Sequence, residues 1–456
     1  MTASGSDTPP PVVPGAVHSV TVASVDDRGR GLAALGRRTL RIANALAGET
    51  LEARLVHVGR HIAVGRINRV TSASPDRIED RCPHGTECPG CGLRTTSPER
   101  RRTFLRDRLV AALAKVGIAE SLVEPTVAAP SSDGWRWKAF LTARRTKRGL
   151  FLGLYEENTH HLLGIHGCLV HAPSVEKALG GVRRALKEMN PPAYDERSGV
   201  GWLRYVSVRA SASRGDAVVT LVATDDAYEG AAALAQAIQT FTPHVTGVVL
   251  NVHAERGNAP LGEEFFPLLG VPHLLENSGP FELRVSPGSF FQVNPEVGGQ
   301  IHDRVAAAAR TAPPGGALDL YGGVGCTALR LAADGRSVVL VENAGPAAED
   351  AGENARRHGA GRVTVRAGRV EDLLAEVLES RPSVVALNPP RSGLHAQALA
   401  ALTLRRVPLL AYTSCDPGSL ARDLAGLQGA GYRLQSVTPF ELMPQTPHVE
   451  ALAVLR

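Results

Sequence analysis

The sequence predicts a multidomain protein. An N-terminal small OB-like β-barrel and a central α+β domain with a cysteine cluster loop precede a C-terminal α/β doubly wound, Rossmann-like domain. Three observations predict it. Short alternating apolar runs between turn residues fill positions 17 to 70, three closely spaced cysteines follow, and from about Ser286 strands and helices alternate at the spacing of βα units. The expected segments are a disordered tail over 1–14, the barrel over 15–72, the cluster loop and central α+β domain over 73–285, and the C-terminal α/β domain over 286–456.

The 456 residues are 43% hydrophobic, which supports sizeable cores in roughly two to four domains. Fifty Lys and Arg against forty-five Asp and Glu leave +5, so a polyanionic partner is permitted and the placement of the charge decides. No apolar run approaches the roughly 20 residues of a membrane helix, and the N-terminus lacks a basic-then-apolar signal pattern. A cytoplasmic monomer without a membrane partner is expected. Six cysteines are too few and too unevenly spaced for a secreted disulfide scaffold, which leaves metal or catalytic use.

The first 14 residues are rich in Ser, Thr, Pro and Gly and cannot repay the entropy of ordering. Runs such as Val17-His-Ser-Val-Thr-Val and Leu51-Glu-Ala-Arg-Leu-Val-His-Val then read as strands of a five-stranded barrel. Arg28, Arg30, Arg37, Arg38 and Arg41 either meet a phosphate backbone or form a solvated face. In Cys82-Pro-His-Gly-Thr-Glu-Cys88-Pro-Gly-Cys91, proline and glycine keep three thiols in a loop able to fold around one centre. The fourth ligand is Cys168, with His84, His166 and His171 as substitutes. The uneven gaps favour an iron-sulfur cluster, with zinc as the alternative.

Ser97-Pro-Glu opens a helix whose Leu105, Leu109, Ala112 and Leu113 give one apolar face, beside Arg100, Arg101, Arg102, Arg106 and Arg108. From Trp135 to Arg148 apolar and basic residues alternate. Arg144, Arg145, Lys147 and Arg148 are candidate phosphate contacts, and Trp135 and Trp137 either stack on bases or pack in the core. Residues 172 to 285 mix helical and strand patterns and predict a sheet covered on one side by helices.

The C-terminal third holds the chemistry-bearing positions. Ala317 to Tyr321 reads as a strand, Gly322-Gly-Val-Gly325 as a glycine turn, and Cys326 to Ala333 as a helix. The next strand ends at Glu342, placed to accept from a ribose diol. This combination suits dinucleotides and S-adenosylmethionine alike. Ser383 to Asn388 is a further strand, stopped by Pro389-Pro390-Arg391. Leu409 to Tyr412 is another, with Cys415 at its end before Asp416-Pro417-Gly418. Cys415 alone reads as a small buried hydrophobe. Alongside Asp319, Glu342 and Asn388 at strand ends, it reads as a reactive group facing one crevice.

With these residues in hand, the chain resembles the S-adenosylmethionine-dependent RNA uracil-5-methyltransferases, particularly the branch that acts on 23S ribosomal RNA and holds a [4Fe-4S] cluster. The likeness runs from about 12 to the C-terminus. It rests on Cys82-x5-Cys88-x2-Cys91 with Cys168, Ser289-Phe-Phe-Gln-Val-Asn294, Asp319-Leu-Tyr-Gly-Gly-Val-Gly325, Pro389-Pro-Arg391, Ser414-Cys-Asp-Pro417 and His448-Val-Glu450. The resemblance implies that the barrel is a TRAM domain and the C-terminal domain a methyltransferase. It implies Cys415 as nucleophile and Glu450 as base, with Gln292, Tyr321, Gly322, Gly325, Glu342 and Asn388 around the methyl donor. Gln292, Asn388, Arg144 and Arg145 would contact RNA.

Two positions depart from the family pattern. Asn388 stands where aspartate is usual before Pro-Pro-Arg; an amide can read uracil or, reversed, cytosine. Gly368-Arg369-Val370 stands where Gly-Asp-Ala is usual, with Glu371 or Asp372 as the compensating carboxylate. The competing expectations are tRNA uracil or RNA cytosine methylation, and a non-catalytic RNA-binding protein whose cofactor pocket has drifted.

Overall fold

The computed structural model describes residues 11–147, 149–156, 159, 161–255 and 259–456. The expected disorder of 1–10 and the expected phosphate contact of Arg148 lie outside these residues. The chain divides into two compact units, Met1–Phe104 with Gln445–Pro447, and Leu105–Pro444 with His448–Arg456.

In the first unit β1 (Val17–Val25), β2 (Arg30–Leu35), β3 (Arg38–Ala43), β4 (Thr50–Val58) and β5 (Ile62–Ser72) close a barrel in the order β1-β2-β3-β5-β4. Alternation drives it: Val20, Val22, Leu40, Ile42, Leu51 and Leu55 point inward and are buried. Val12, which falls in the expected disordered tail, packs against that core. Two of the barrel cations are engaged locally, Arg30 with Asp26 at 2.9 Å and Arg38 with the Gly59 carbonyl at 2.9 Å. Helix α1 (Pro98–Ala114) starts as its sequence dictates, the Ser97 hydroxyl accepting from the Arg100 N–H at 3.3 Å. Its basic run is not simply a solvated stripe. Arg101 is buried and donates to the Thr96 carbonyl at 3.1 Å.

Among its described residues the second unit holds two seven-stranded sheets and a two-stranded hairpin. The strands β6 (Lys138–Thr146), β7 (Gly149–Tyr155), β8 (Leu162–Gly164), β9 (Leu203–Ala210), β10 (Ala217–Ala223), β11 (Val245–Val252) and β12 (Glu264–Gly270) form one, ordered β12-β11-β10-β9-β6-β7-β8. Helices α2 (Pro173–Met189) and α3 (Ala231–Phe241) pack on it through Val175, Leu179, Val182, Leu186, Leu234 and Ile238. A hairpin, β13 (Leu274–Ser278) with β14 (Phe281–Val285), buries Leu283 and Val285 against Val324 and Leu329.

The second sheet is built from α4 (Pro295–Arg310), β15 (Ala317–Leu320), α5 (Cys326–Ala333), β16 (Val338–Glu342), α6 (Gly345–His358), β17 (Val363–Ala367), α7 (Val370–Val377), β18 (Val384–Leu387), α8 (Ala396–Leu404), β19 (Leu409–Ser414), α9 (Pro417–Gly429), β20 (Leu434–Phe440) and β21 (Glu450–Leu455). Its order is β17-β16-β15-β18-β19-β21-β20, parallel apart from β21, which runs antiparallel between β19 and β20. The central strands are apolar on both faces, as a sheet covered on both sides requires. One core lies under α4 and α5, the other under α7, α8 and α9. Asp416-Pro417-Gly418 does not merely end β19: Asp416 caps α9, accepting from the Ser419 N–H at 2.8 Å, with Pro417 in the first turn.

Candidate active site

Strand register assembles the site. Leu320 pairs with Leu387 and Leu387 with Tyr412, so Tyr321, Asn388 and the end of β19 share the carboxyl edge of adjacent parallel strands, the place where open α/β sheets bind ligands. Ser414 pairs with Ala451 in the antiparallel direction. Cys415 and Glu450, one residue further on each strand, therefore face each other across neighbouring strands about 5 Å apart.

Glu450 is buried, and burial pushes its carboxyl up to about 8. Cys415 is half-buried; burial first and the Glu450 charge second push its thiol up to about 11, while the Arg391 guanidinium draws it back down. Arg391, Arg108 and Arg136 also act on His448, whose ring burial and these three cations hold below the usual imidazole value. Three guanidiniums thus lie near the Cys415–Glu450 pair, together with the Asp416 carboxylate.

The neighbouring strand ends carry the features of a nucleoside pocket. Tyr321 sits in the left-handed region at φ 58°, strain of a kind found at ligand sites. The Glu342 carboxylate accepts from the Gly323 N–H at 2.9 Å and the Ala344 N–H at 2.7 Å, and each oxygen keeps a lone pair for a ribose hydroxyl. Phe290 lies 63% exposed, its carbonyl beside Gly323. Glu371 is close enough to raise the Tyr321 phenol, which burial pushes to about 12, whereas Asp372 is exposed. Of the two substitutes for the missing carboxylate, Glu371 is the one brought to the site. Arg369 lies 3.6 Å from it. These residues fit an adenosyl group. Asp319 has a different place: its carboxylate accepts from the Ala328 N–H at 2.8 Å, and burial raises it to about 7.

Two buried acids fix the loops of the site, and neither was singled out from the sequence. Asp423 of α9 accepts from the Leu394 N–H at 2.8 Å, the Tyr412 hydroxyl at 2.7 Å and Arg422 at 2.8 Å. It ties the loop after Asn388 to the strand before Cys415. Gly393 is required there, since at φ 79° a Cβ would stand 2.4 Å from Asp423. Asp350 of α6 accepts from the Ser286 N–H at 2.6 Å and the Ser289 hydroxyl at 2.6 Å, holding the segment before Gln292. The signal was an acid on the apolar stripe of each helix, beside Leu420, Leu424 and Leu427 in α9 and beside Ala347 and Ala351 in α6.

Other expected site residues sit on other elements. Gln292 precedes α4 and lines a small cleft with Trp137, Lys138 and Arg209. Arg144 and Arg145 lie on β6 of the first sheet, and Arg145 donates to the Asn190 side chain at 2.7 Å and the Pro191 carbonyl at 2.8 Å. Trp135 is core. Cys82, Cys88 and Cys91 belong to the first unit and Cys168 to the second. Burial chiefly, and then the Cys82 charge, raise the Cys88 thiol. Among the described residues no three His, Cys, Asp or Glu side chains are grouped to hold a metal ion.

The fold is that of a solved methyltransferase. It matches the Pyrococcus abyssi tRNA (uracil-54, C5)-methyltransferase, solved with S-adenosyl-L-homocysteine, at a TM-score of 0.75 and 22% identity over 96% of this chain and 99% of that one. No protein-family model matches. The chain is 33% identical over 454 residues to an uncharacterized RNA methyltransferase of Gloeobacter violaceus, covering 98% of both. It is 32% identical to one of Geobacter sulfurreducens, covering 97% of this chain and 90% of the other, and 30% identical to one of Halalkalibacterium halodurans, covering 98% of both. The chain belongs to this family of RNA methyltransferases.

Proposed function

We propose that this chain transfers a methyl group from S-adenosylmethionine to C5 of a uridine in RNA, with 23S ribosomal RNA as the target, through a covalent bond from Cys415 to C6. The observation that carries the reading is the placement of Cys415 and Glu450 opposite each other, on the sheet edge that also holds Tyr321, Glu342 and Asn388. Family membership and the matched fold support RNA as substrate and S-adenosylmethionine as methyl donor.

The residue types suit the chemistry. C5 of uracil is too weak a nucleophile to react unaided. Addition of the Cys415 thiolate to C6 moves the C5–C6 electron pair toward C5 and O4, and the nearby Arg391 charge favours the thiolate. Tyr321, Gly322, Gly325 and Glu342, with Gln292 and Asn388, would hold S-adenosylmethionine, whose sulfonium supplies the electrophilic methyl that C5 takes up. Glu450 then removes the C5 proton, the C5–C6 double bond re-forms, and Cys415 leaves as thiolate. The Asn388 amide donates to O4 and accepts from N3–H of uracil. Glu371 stands in for the carboxylate absent at 369.

Methyl transfer to RNA from cells lacking the gene, followed by nucleoside analysis, tests this reading. 5-Methyluridine in 23S ribosomal RNA is expected; 5-methylcytidine would reassign Asn388, and product in tRNA would move the target. Absence of S-adenosylmethionine binding by calorimetry would contradict the enzyme reading and leave an RNA-binding protein.

Two further parts are proposed on sequence likeness. The closed barrel is a TRAM-type RNA-binding domain, and the boundaries at 14/15, 72/73 and 285/286 are carried as domain limits. The donor chemistry of Cys82, Cys88, Cys91 and Cys168 supports a [4Fe-4S] cluster, with zinc as alternative. The reaction above takes no step through it. Anaerobically purified protein should absorb broadly near roughly 400 nm; bound zinc without that band contradicts the cluster.

A further inference from the structure

We propose that a cavity on the first sheet of the second unit binds one unpaired nucleotide of the substrate RNA, at a site distinct from the one around Cys415; this rests on the RNA reading above. The cavity measures about 310 Å³ and is lined by none of the Cys415 site residues. That is the lower end of ligand pockets, which run roughly 300–1,000 Å³, so it admits a single nucleotide and excludes a duplex.

Its lining has the chemistry of nucleotide recognition. Tyr155, Tyr194 and Tyr205 supply aromatic faces, and Arg144, Arg197 and Arg204 outweigh Asp195 and Glu196 in charge. Aromatic faces stack any base, and planar guanidiniums pair with phosphate oxygens. Arg204 is the built element. It is 5% exposed, its Nη1 donates to the His253 carbonyl at 2.6 Å and the Glu255 carbonyl at 2.7 Å, and its guanidinium lies 4.8 Å over the Tyr194 ring and 5.7 Å from that of Tyr205. Two carbonyls and two rings fix this cation at the cavity wall, and among the described residues its buried Nε has no hydrogen-bond partner. Polar groups on the rim complete the site. The Glu196 carboxylate accepts from the Tyr155 hydroxyl at 3.3 Å, and that of Asp195 accepts from the Arg197 N–H at 2.8 Å, which orders the 194–197 turn.

The test uses the full-length protein and 23S ribosomal RNA fragments. Ultraviolet crosslinking with mass spectrometry should attach a nucleotide to a peptide containing Tyr155 or Tyr194. Tyr194→Ala should weaken RNA binding about ten-fold, as loss of one stacked base does. Tyr194→Phe should restore binding, and S-adenosylmethionine affinity should match wild type in both as a check on folding. Unchanged RNA affinity in Tyr194→Ala, or equal weakening by Tyr194→Phe, would overturn the proposal. So would protection of these tyrosines by free uridine monophosphate while RNA affinity stays at the wild-type value, which would mark a site for a free nucleotide. Because the readout is RNA binding, a failure here leaves the methyl-transfer reading standing. Failure of wild-type methyl transfer would leave this readout intact.

Discussion

Glu450→Gln keeps the shape of the buried side chain while removing its charge and its ability to accept a proton. Two consequences follow from the geometry. The first is chemical: with no base opposite Cys415 the C5 proton stays on after methyl transfer, the thiol cannot be expelled, and the enzyme should accumulate a covalent complex with uracil-containing RNA that already carries the methyl group at C5. Turnover should fall by about 100- to 10,000-fold, the usual contribution of a positioned general base. The second is thermodynamic. The folded protein holds the Glu450 proton up to about 8, whereas the unfolded chain loses it near the ordinary 4.5. Between those values unfolding releases a proton, so this residue's contribution to stability is fully present below 4.5 and is lost as pH rises toward 8. The shift corresponds to an upper figure on the order of 5 kcal/mol. Glutamine has nothing to ionise. Thermal unfolding of both proteins from pH 5 to 9 should show wild type losing ground to the variant as pH rises. Parallel Tm curves across that range, or release of methylated RNA by Glu450→Gln at the wild-type rate, would refute the reasoning.

The same carboxyl predicts the pH dependence of catalysis. Because Glu450 must be unprotonated to act, kcat/KM for RNA should rise with pH up to about 8, as a rate profile would read. Gly393→Ala places a Cβ 2.4 Å from Asp423 in a left-handed backbone. It should lower the Tm by roughly 5 °C and reduce methyl transfer, because the loop carrying Asn388 and Arg391 loses its tie to α9. Cys326→Ala should leave formation of the RNA adduct intact, because burial holds the Cys326 thiol protonated up to about 11 at the start of α5.

Much of the second sheet was legible because its signals are local. Helices over 326–333 and 345–358 follow from glycine and proline punctuation and an apolar stripe, and the strand ends follow from short runs of Val, Leu and Ala. The pairing of Cys415 with Glu450 was not legible from spacing, since it depends on β21 inserting antiparallel between β19 and β20. Only the resemblance brought the two residues together. The start of α9 at Pro417 was missed because Asp-Pro-Gly serves as a turn and as a capped first turn alike. The basic run at 100–108 is a single feature in the sequence, but its members diverge with helical periodicity. Arg101 turns inward, whereas Arg106 pairs with Glu120 at 2.6 Å. The roles of Asp423 and Asp350 are not legible in the sequence because a lone acid on a helix is ordinarily solvent-facing; its burial depends on which loop arrives to supply donors.

The covalent step is the centre of the account. RNA in which 5-fluorouracil replaces uracil carries fluorine at C5, where Glu450 would need to remove a proton, so the adduct cannot resolve. Incubated with S-adenosylmethionine, the wild-type protein should form a complex that survives a denaturing gel, and Cys415→Ala should form none. A complex that persists in Cys415→Ala, or its absence from wild-type protein that binds both RNA and S-adenosylmethionine, would contradict the assignment of Cys415 as the nucleophile.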